Sequence, residues 1–309
     1  MKKKVSIIIC CYNEEENIPV VIDAIHKSMD GTAYLYEIIT VNDGSSDHTP
    51  DVIKALSLED KRLFYINLSR NFGHQNALKA GLDYATGDCI VSMDGDMQHP
   101  PEMLPLFLEK WEEGYDVVYT RRQEDKSLSK RKRKTSALFY RILNSLSDIE
   151  LEQGTADFRL LDRRAANIII GMTGSDLFIR GLVKWIGFNQ YAIDYIPNKR
   201  HAGESKYTFK KMCSLAAQGI TSFSVKPLYM SAYIGFFIAA LSLLFIPYAI
   251  ISFFYNNPIS GWASLIIAVG FLGGLQLFMM GIIGMYIGKI FIQTKGRPSY
   301  IVKNTNIRE

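Results

Sequence analysis

From Pro227 to Gly288 the chain carries no Asp, Glu, Lys, Arg or His. An ordinary soluble domain is about one quarter charged, so a stretch of this length cannot be a water-facing surface. Within it, residues 228–254 and 262–287 each exceed the roughly 20 residues a helix needs to cross about 30 Å of hydrocarbon. Tyr255-Asn256-Asn257-Pro258 separates them. Two membrane-spanning helices are expected, returning the chain to the side on which it began. Lys199, Arg200, Lys206, Lys210, Lys211 and Lys226 precede the pair, Lys289, Lys295, Arg297 and Lys303 follow it, and the connection between the spans has no charge. The positive-inside bias then puts both termini in the cytoplasm. An ionisable group inside the bilayer would mark an ion path; its absence argues against a pump or a channel. Gly284 and Gly288 have a GxxxG spacing suited to close helix contact, within one chain or between chains.

The formal net charge of +4 is modest and does not suggest nucleic-acid binding. Cys10, Cys11, Cys89 and Cys213 lack the CxxC spacing of a zinc cluster and read as buried thiols of a reducing compartment. Met1 to Glu16 resembles a signal peptide only in its first residues. The apolar run 5–11 is too short, and Asn13 with three glutamates follows at once.

Residues 1–120 alternate short apolar runs with helical patterns. Strands are expected at 5–11, 37–41, 63–68, 88–93 and 116–120, and helices at 17–29, 49–58, 76–85 and 101–113. Continuous apolar strands with helices between them mean an α/β fold with a mostly parallel sheet covered on both faces. Ligands of such sheets bind beyond the carboxyl ends of the strands. Tyr12, Asn13 and Glu14 lie there after the first strand, Asp43 and Gly44 after the second, Arg70, Asn71 and Gly73 after the third, Asp94 and Asp96 after the fourth. Two carboxylates on one such loop are oxygen donors suited to Mg²⁺ or Mn²⁺. Further on, Lys126, Lys130, Arg131, Lys132, Arg133 and Lys134 lead into an amphipathic pattern at about 133–147. That combination can lie in the plane of an anionic membrane.

Four stretches together resemble one family: Tyr12-Asn13-Glu14 with Asn17-Ile18, Asn42-Asp43-Gly44-Ser45, Asp94-Gly95-Asp96-Met97-Gln98-His99-Pro100, and Arg200-His201-Ala202-Gly203-Glu204-Ser205-Lys206-Tyr207. The chain is similar to the polyprenyl-phosphate glycosyltransferases of glycosyltransferase family 2, close to dolichol-phosphate-mannose synthases and the bacterial enzymes that charge undecaprenyl phosphate with a sugar. The resemblance implies a GT-A (Rossmann-like) catalytic domain over 1–200. An acceptor loop and juxtamembrane helix over 201–227, two transmembrane helices over 228–288 and a cytoplasmic tail over 289–309 would follow. It implies a divalent metal, inversion at the anomeric carbon, a nucleotide-sugar donor, UDP-linked by preference, carrying glucose or N-acetylglucosamine, and a polyprenyl phosphate acceptor at the cytoplasmic membrane face. A homo-oligomer, a tetramer as in close relatives, is in keeping with it.

Carried onto this chain, the resemblance makes Asp96 the first choice for direct metal ligation, with Asp94 on the metal, on the ribose or in support. Tyr12, Asn13, Glu14 and Asp43 would line the nucleotide pocket, Asp43 receiving the base edge, with Gly73 and Lys79 at its rim. Gln98, Arg200, Ser205 and Lys206 would meet the acceptor phosphate. Asp157, in Ala156-Asp157-Phe158-Arg159-Leu160, stands at the family position proposed as general base. A phosphate monoester has a second pKa of about 6 and is already largely anionic in the cytoplasm, so base, orienting and structural roles all stay open. The rival readings are a processive polysaccharide synthase, which needs more spans and a QxxRW-type motif not found here, and a catalytically degenerate membrane scaffold, which would show no metal-dependent donor binding. The stretch 296–302 is expected to return to the catalytic domain.

Overall fold

The computed structural model describes residues 2–123, 144–145, 152, 154–172, 174, 178–196, 224–243, 247, 251 and 261–307. The four parallel strands expected first are present: β1 (Lys4–Cys11), β2 (Leu35–Asn42), β3 (Leu63–Leu68) and β4 (Cys89–Asp94). They alternate with α1 (Ile18–Met29), α2 (Thr49–Glu59) and α3 (His74–Tyr84). A short 3₁₀ turn at Pro101–Met103 leads into α4 (Leu104–Glu112), and β5 (Val117–Arg122) follows. Pro50 and Pro105 sit in the first turns of α2 and α4, where the missing N–H would have had no helical partner.

The period of two along β1 divides its side chains between two cores. Val5, Ile7, Ile9 and Cys11 join α1 and α4 through Ile18, Val21, Ile25, Leu104 and Phe107. Ile8 and Cys10 face the opposite layer, where Ala77, Leu78 and Ala80 of α3 pack. With both faces covered the strands tolerate continuous β-branched runs, which is why the sequence reads without polar alternation. Cys10, Cys11 and Cys89 are buried and unoxidised, and burial pushes their thiols up; Cys213 lies outside the described residues.

Three strands were not expected from sequence. β6 (Thr155–Asp162) runs antiparallel between β4 and β5, and β7 (Gln190–Tyr195) pairs parallel to β5. β8 (Val302–Thr305) closes the other edge, antiparallel to β3, giving the order β7-β5-β6-β4-β1-β2-β3-β8 among the described residues. The expected return of the stretch 296–302 thus leads into an edge strand of the sheet. Between β6 and β7 lie α5 (Arg163–Gly171) and α6 (Ile179–Trp185). Asp162 caps α5 by accepting from the Arg164 N–H.

Two apolar helices follow, α7 (Lys226–Leu243) and α8 (Trp262–Thr294). Among the described residues one helix is long and apolar enough to cross a membrane: α8, through Ala268–Thr294. It runs past the expected end at 287 into Lys289. Residues 244–246, 248–250 and 252–254 of the first expected span, and the break at 255–258, lie outside the described residues. Tyr286 of α8 donates its hydroxyl to the Ser224 carbonyl at 2.7 Å, tying α8 to the start of α7. A Cβ on Gly281, Gly284 or Gly288 would meet no described atom within 4 Å.

Candidate active site

The carboxyl ends of β1, β2 and β4 place three loops side by side. Asn13, after β1, holds a left-handed φ of +56°. Its N–H donates to Ser45 Oγ at 2.9 Å, and its Oδ1 accepts from the Ser46 N–H at 2.8 Å. Glu14 donates its N–H to Thr49 Oγ1, and its carboxylate accepts from Asn17 Nδ2 at 2.5 Å. Tyr12 is 37% exposed at the mouth of these loops. The Asp43 carboxylate accepts both the Phe72 and Gly73 N–H groups, at 2.7 and 2.9 Å. Burial pushes Asp43 up, and those two donors offset only part of the effect. The side chain that sequence assigns to the nucleotide base therefore also anchors the third loop.

Gly44 and Gly73 are required for different reasons. A Cβ at Gly44, φ +67°, would stand 2.3 Å from the Arg70 carbonyl carbon. Around Gly73 the space is open, but its φ of +93° and ψ of 150° fall where only glycine is comfortable. Conformation, rather than crowding, dictates Gly73.

After β4, Met97 holds a left-handed φ of +63°, uncommon for a residue with a side chain. That twist lets Asp96 Oδ1 accept from the Gln98 N–H at 3.1 Å. His99 is buried, stacked on Phe158 and edge-on to Tyr195. Its Nδ1 accepts from the Asp94 N–H, and its Nε2 stands 3.7 Å from Asp94 Oδ2.

The densest electrostatics surround Asp157. Because β6 is antiparallel to β4, with Ser92 opposite Arg159, the start of β6 arrives at the edge where β4 ends. Asp157 is 2% exposed. Arg180, the second residue of α6, grips it with Nε to Oδ1 at 2.9 Å and Nη2 to Oδ2 at 2.6 Å. Arg159 Nη2 donates to Oδ1 at 2.9 Å, and Gln75 Nε2 reaches Oδ2 at 3.4 Å. His74 Nε2 stands 3.2 Å from Asp157 Oδ2 and 3.5 Å from Asp94 Oδ1, one imidazole shared by two carboxylates. Burial opposes charge on both partners. The Arg180 charge, the His74 and Arg180 hydrogen bonds and the Arg159 charge nevertheless hold Asp157 well below the carboxylate range. Asp94 and Asp157 in turn raise His74 to about 9.

His74, Gln75 and Arg180 were not singled out from sequence. The signal for the first two was Gly73 immediately before them, because α3 begins at His74 rather than at 76. Nothing local marks Arg180. Lys79 corrects the sequence reading. It is buried, with its ammonium held by Asp83 and, at 3.0 Å, by the Ile170 carbonyl. Helical geometry explains this: five positions after His74, Lys79 projects from another side of α3. Arg200, Ser205 and Lys206, and the pattern at 133–147 except 144–145, lie outside the described residues.

No group of three or more His, Cys, Asp or Glu side chains gathers to hold a metal among the described residues. Asp94 and Asp96 supply two carboxylates on one partly exposed loop. That set suits a hard divalent cation whose shell is completed by a ligand's own oxygens.

These features define an α/β fold with polar and acidic loops gathered at the carboxyl ends of its parallel strands, and comparison with known proteins gives the family. The family model described as "Glycosyl transferase family 2" matches residues 6–169. The chain is 42% identical over 301 residues to the uncharacterized glycosyltransferase YkcC of Bacillus subtilis, covering 97% of this chain and 93% of the other. It is 39% identical over 302 residues to a bactoprenol glucosyl transferase of Shigella phage SfV, covering 97% and 98%. A solved mannosyltransferase of Pyrobaculum calidifontis, in complex with GDP-Man and Mn²⁺, superposes with a TM-score of 0.50 at 17% identity. That match covers 72% of this chain and 63%, less than two thirds, of the other, and shows a shared GT-A-like fold. The chain belongs to glycosyltransferase family 2.

Proposed function

We propose that the protein transfers a sugar from a nucleotide-sugar donor to polyprenyl phosphate, by direct displacement at the cytoplasmic face of a membrane. The observation that carries this reading is one sheet edge: the Asp94–Asp96 loop and the Asp157–Arg180–His74 cluster meet there, in a chain that also carries an apolar helix long enough to cross a membrane. The near full-length likeness to a bactoprenol glucosyl transferase supports the acceptor class. The donor is UDP-linked glucose or N-acetylglucosamine.

The lipid phosphate oxygen attacks the anomeric carbon as the bond to the nucleotide diphosphate breaks on the opposite face. Attacker and leaving group are both anionic, so positioning and electrostatics carry the rate, and no side-chain nucleophile is needed. Asp96, with Asp94 beside it, would hold Mg²⁺ or Mn²⁺, which when bound offsets the charge gathering on the leaving diphosphate. Asp94 faces two imidazoles, which leaves Asp96 the better placed for direct ligation. A carboxylate has about four acceptor positions; Asp43 spends two on the Phe72–Gly73 turn and keeps capacity for a uracil N3–H. Tyr12, Asn13, Glu14 and Gly73 form the rest of the nucleotide pocket.

Asp157 acts as an orienting group rather than a base. A carboxylate held by two guanidiniums is a poor proton acceptor, and a phosphate monoester barely needs one. Its service is to aim Arg180 and hold His74 charged beside Asp94. Gln98, Arg200, Ser205 and Lys206 receive the acceptor phosphate. Two transmembrane helices, with both termini cytoplasmic, keep those cations at the lipid headgroups, in an assembly of several copies.

The deciding experiment presents a panel of nucleotide sugars and undecaprenyl phosphate to the detergent-solubilised protein and scores glycolipid by mass. A lipid product from one donor is expected. Transfer to a soluble sugar with no lipid product would reject the acceptor.

A further inference from the structure

Three asparagines stand opposite one another on three neighbouring strands. Asn42 of β2 pairs in register with Asn67 of β3, which pairs with Asn304 of β8. Their side chains form a ladder in which both bonds run the same way and Asn304 is the terminal acceptor. The Asn13 N–H donates to Ser45 Oγ at 2.9 Å, and the Ser45 N–H to Asn42 Oδ1 at 3.0 Å. Asn42 Nδ2 donates to Asn67 Oδ1 at 2.9 Å, and Asn67 Nδ2 to Asn304 Oδ1 at 2.7 Å. Asn42 and Asn67 are 3% and 8% exposed, so water cannot readily replace a lost partner. Head-to-tail amide chains polarise one another, and an acceptor at the far end strengthens every bond before it.

We infer that Asn304, at the C-terminal edge of the sheet, is a positioning residue for the turns carrying Asn13 and Asp43, acting through Asn67, Asn42 and Ser45. This rests on the reading of those turns as the nucleotide pocket. Asn304 lies ten positions after Thr294, the last residue of α8. A short stretch of chain therefore connects the end of the apolar helix to the terminal acceptor of the ladder.

Asn304 is not what docks the tail. The Ser69 N–H to the Ile301 carbonyl, the Tyr65 N–H to Asn306 Oδ1, Thr305 Oγ1 to the Tyr65 carbonyl and the Tyr300 hydroxyl to Asp83 all remain without it. Within the ladder Asn304 is only an acceptor, so aspartate can replace it and alanine or leucine cannot.

The test is hydrogen exchange by mass on the full chain in detergent, without ligand, followed by calorimetric titration with UDP. Asn304→Ala and Asn304→Leu should speed exchange in peptides containing Asn13 and Ser45 and weaken UDP about fivefold, as the loss of one hydrogen bond would. Exchange at 65–69 and 300–307 should hold at the wild-type rate, and Asn304→Asp should match wild type throughout. Unchanged exchange at Asn13 and Ser45 in Asn304→Ala overturns the inference. So does a rise there that is accompanied by an equal rise at 65–69 and 300–307, which would mean the tail had come away. Changed exchange in a protein that in wild-type form binds no UDP would uphold the ladder and reject the nucleotide reading.

Discussion

Asp157 and Arg180 form a two-pronged ion pair, Nε to Oδ1 at 2.9 Å and Nη2 to Oδ2 at 2.6 Å, from residues that no local pattern associates. Arg180 is partly exposed while Asp157 is buried, so the pair fixes a guanidinium where the core meets the surface. Bidentate geometry fixes both position and orientation.

That geometry makes Asp157→Asn informative. The substitution leaves Arg159 and Arg180 short of a counter-charge in a buried place, at a cost of about 3–5 kcal/mol where a buried pair is broken. As an orienting group its loss should cost about 100-fold in rate, the scale of a misplaced reacting group, by the same factor from pH 6 to pH 8, because the wild-type carboxylate is ionised throughout that range. A base role would instead give a deficit that eases as the acceptor phosphate ionises. Rate–pH profiles of both proteins, with Tm alongside, decide between them.

Asp96→Asn and Asp94→Asn should separate in a Mn²⁺ titration of initial rate. Asp96→Asn is expected to raise the half-saturating metal concentration by about tenfold or more, on the scale of a lost oxygen ligand. Asp94→Asn should raise it less and lower the maximal rate, because Asp94 also faces His74 and His99. Equal effects would make the two ligands equivalent.

Glu37 controls acid stability. Its buried carboxylate accepts from Lys4 Nζ at 2.6 Å, Ser6 Oγ at 2.5 Å and both Thr86 donors. Burial pushes it up, but Lys4, Ser6 and Thr86 outweigh burial and leave it below its ordinary value. A depressed folded value stabilises above the unfolded carboxyl pKa of about 4.3, and that share is lost as pH falls through the folded value. Glu37→Gln should lower stability by about 1–3 kcal/mol at pH 7, and the gap from wild type should close below about pH 4. Thermal melts across pH measure it.

Gly44→Ala should be worse than Gly73→Ala. Both impose strain of about 1–3 kcal/mol from positive φ, but only at Gly44 does the new Cβ also strike backbone, at Arg70 and Asn71. Tm and UDP affinity should fall further for Gly44→Ala.

Much of the catalytic half was legible because its signals are local. The β-branched run at 5–11, the helical face of Ile18, Val21, Ile22 and Ile25, and the polar tripeptides at strand ends each announce themselves within ten residues. Element ends were less so. α3 begins at His74 because Gly73 supplies its N-terminal cap conformation, which periodicity does not register. Lys79 was misplaced because proximity in sequence to a loop says nothing about which side of a helix a side chain leaves from.

By itself the sequence determined the parallel α/β layers, the apolar C-terminal region and the acidic loop, since hydrophobic period and charge density are properties of short windows. Only the tertiary structure decided that β6 inserts antiparallel and carries Asp157 to the edge where Asp94 ends β4, that α6 delivers Arg180 to it, and that β8 brings Asn304 beside Asn67, 237 positions away. Pairings at that separation are fixed by sheet register and by the burial of whole elements, and no stretch of chain contains both partners to declare them.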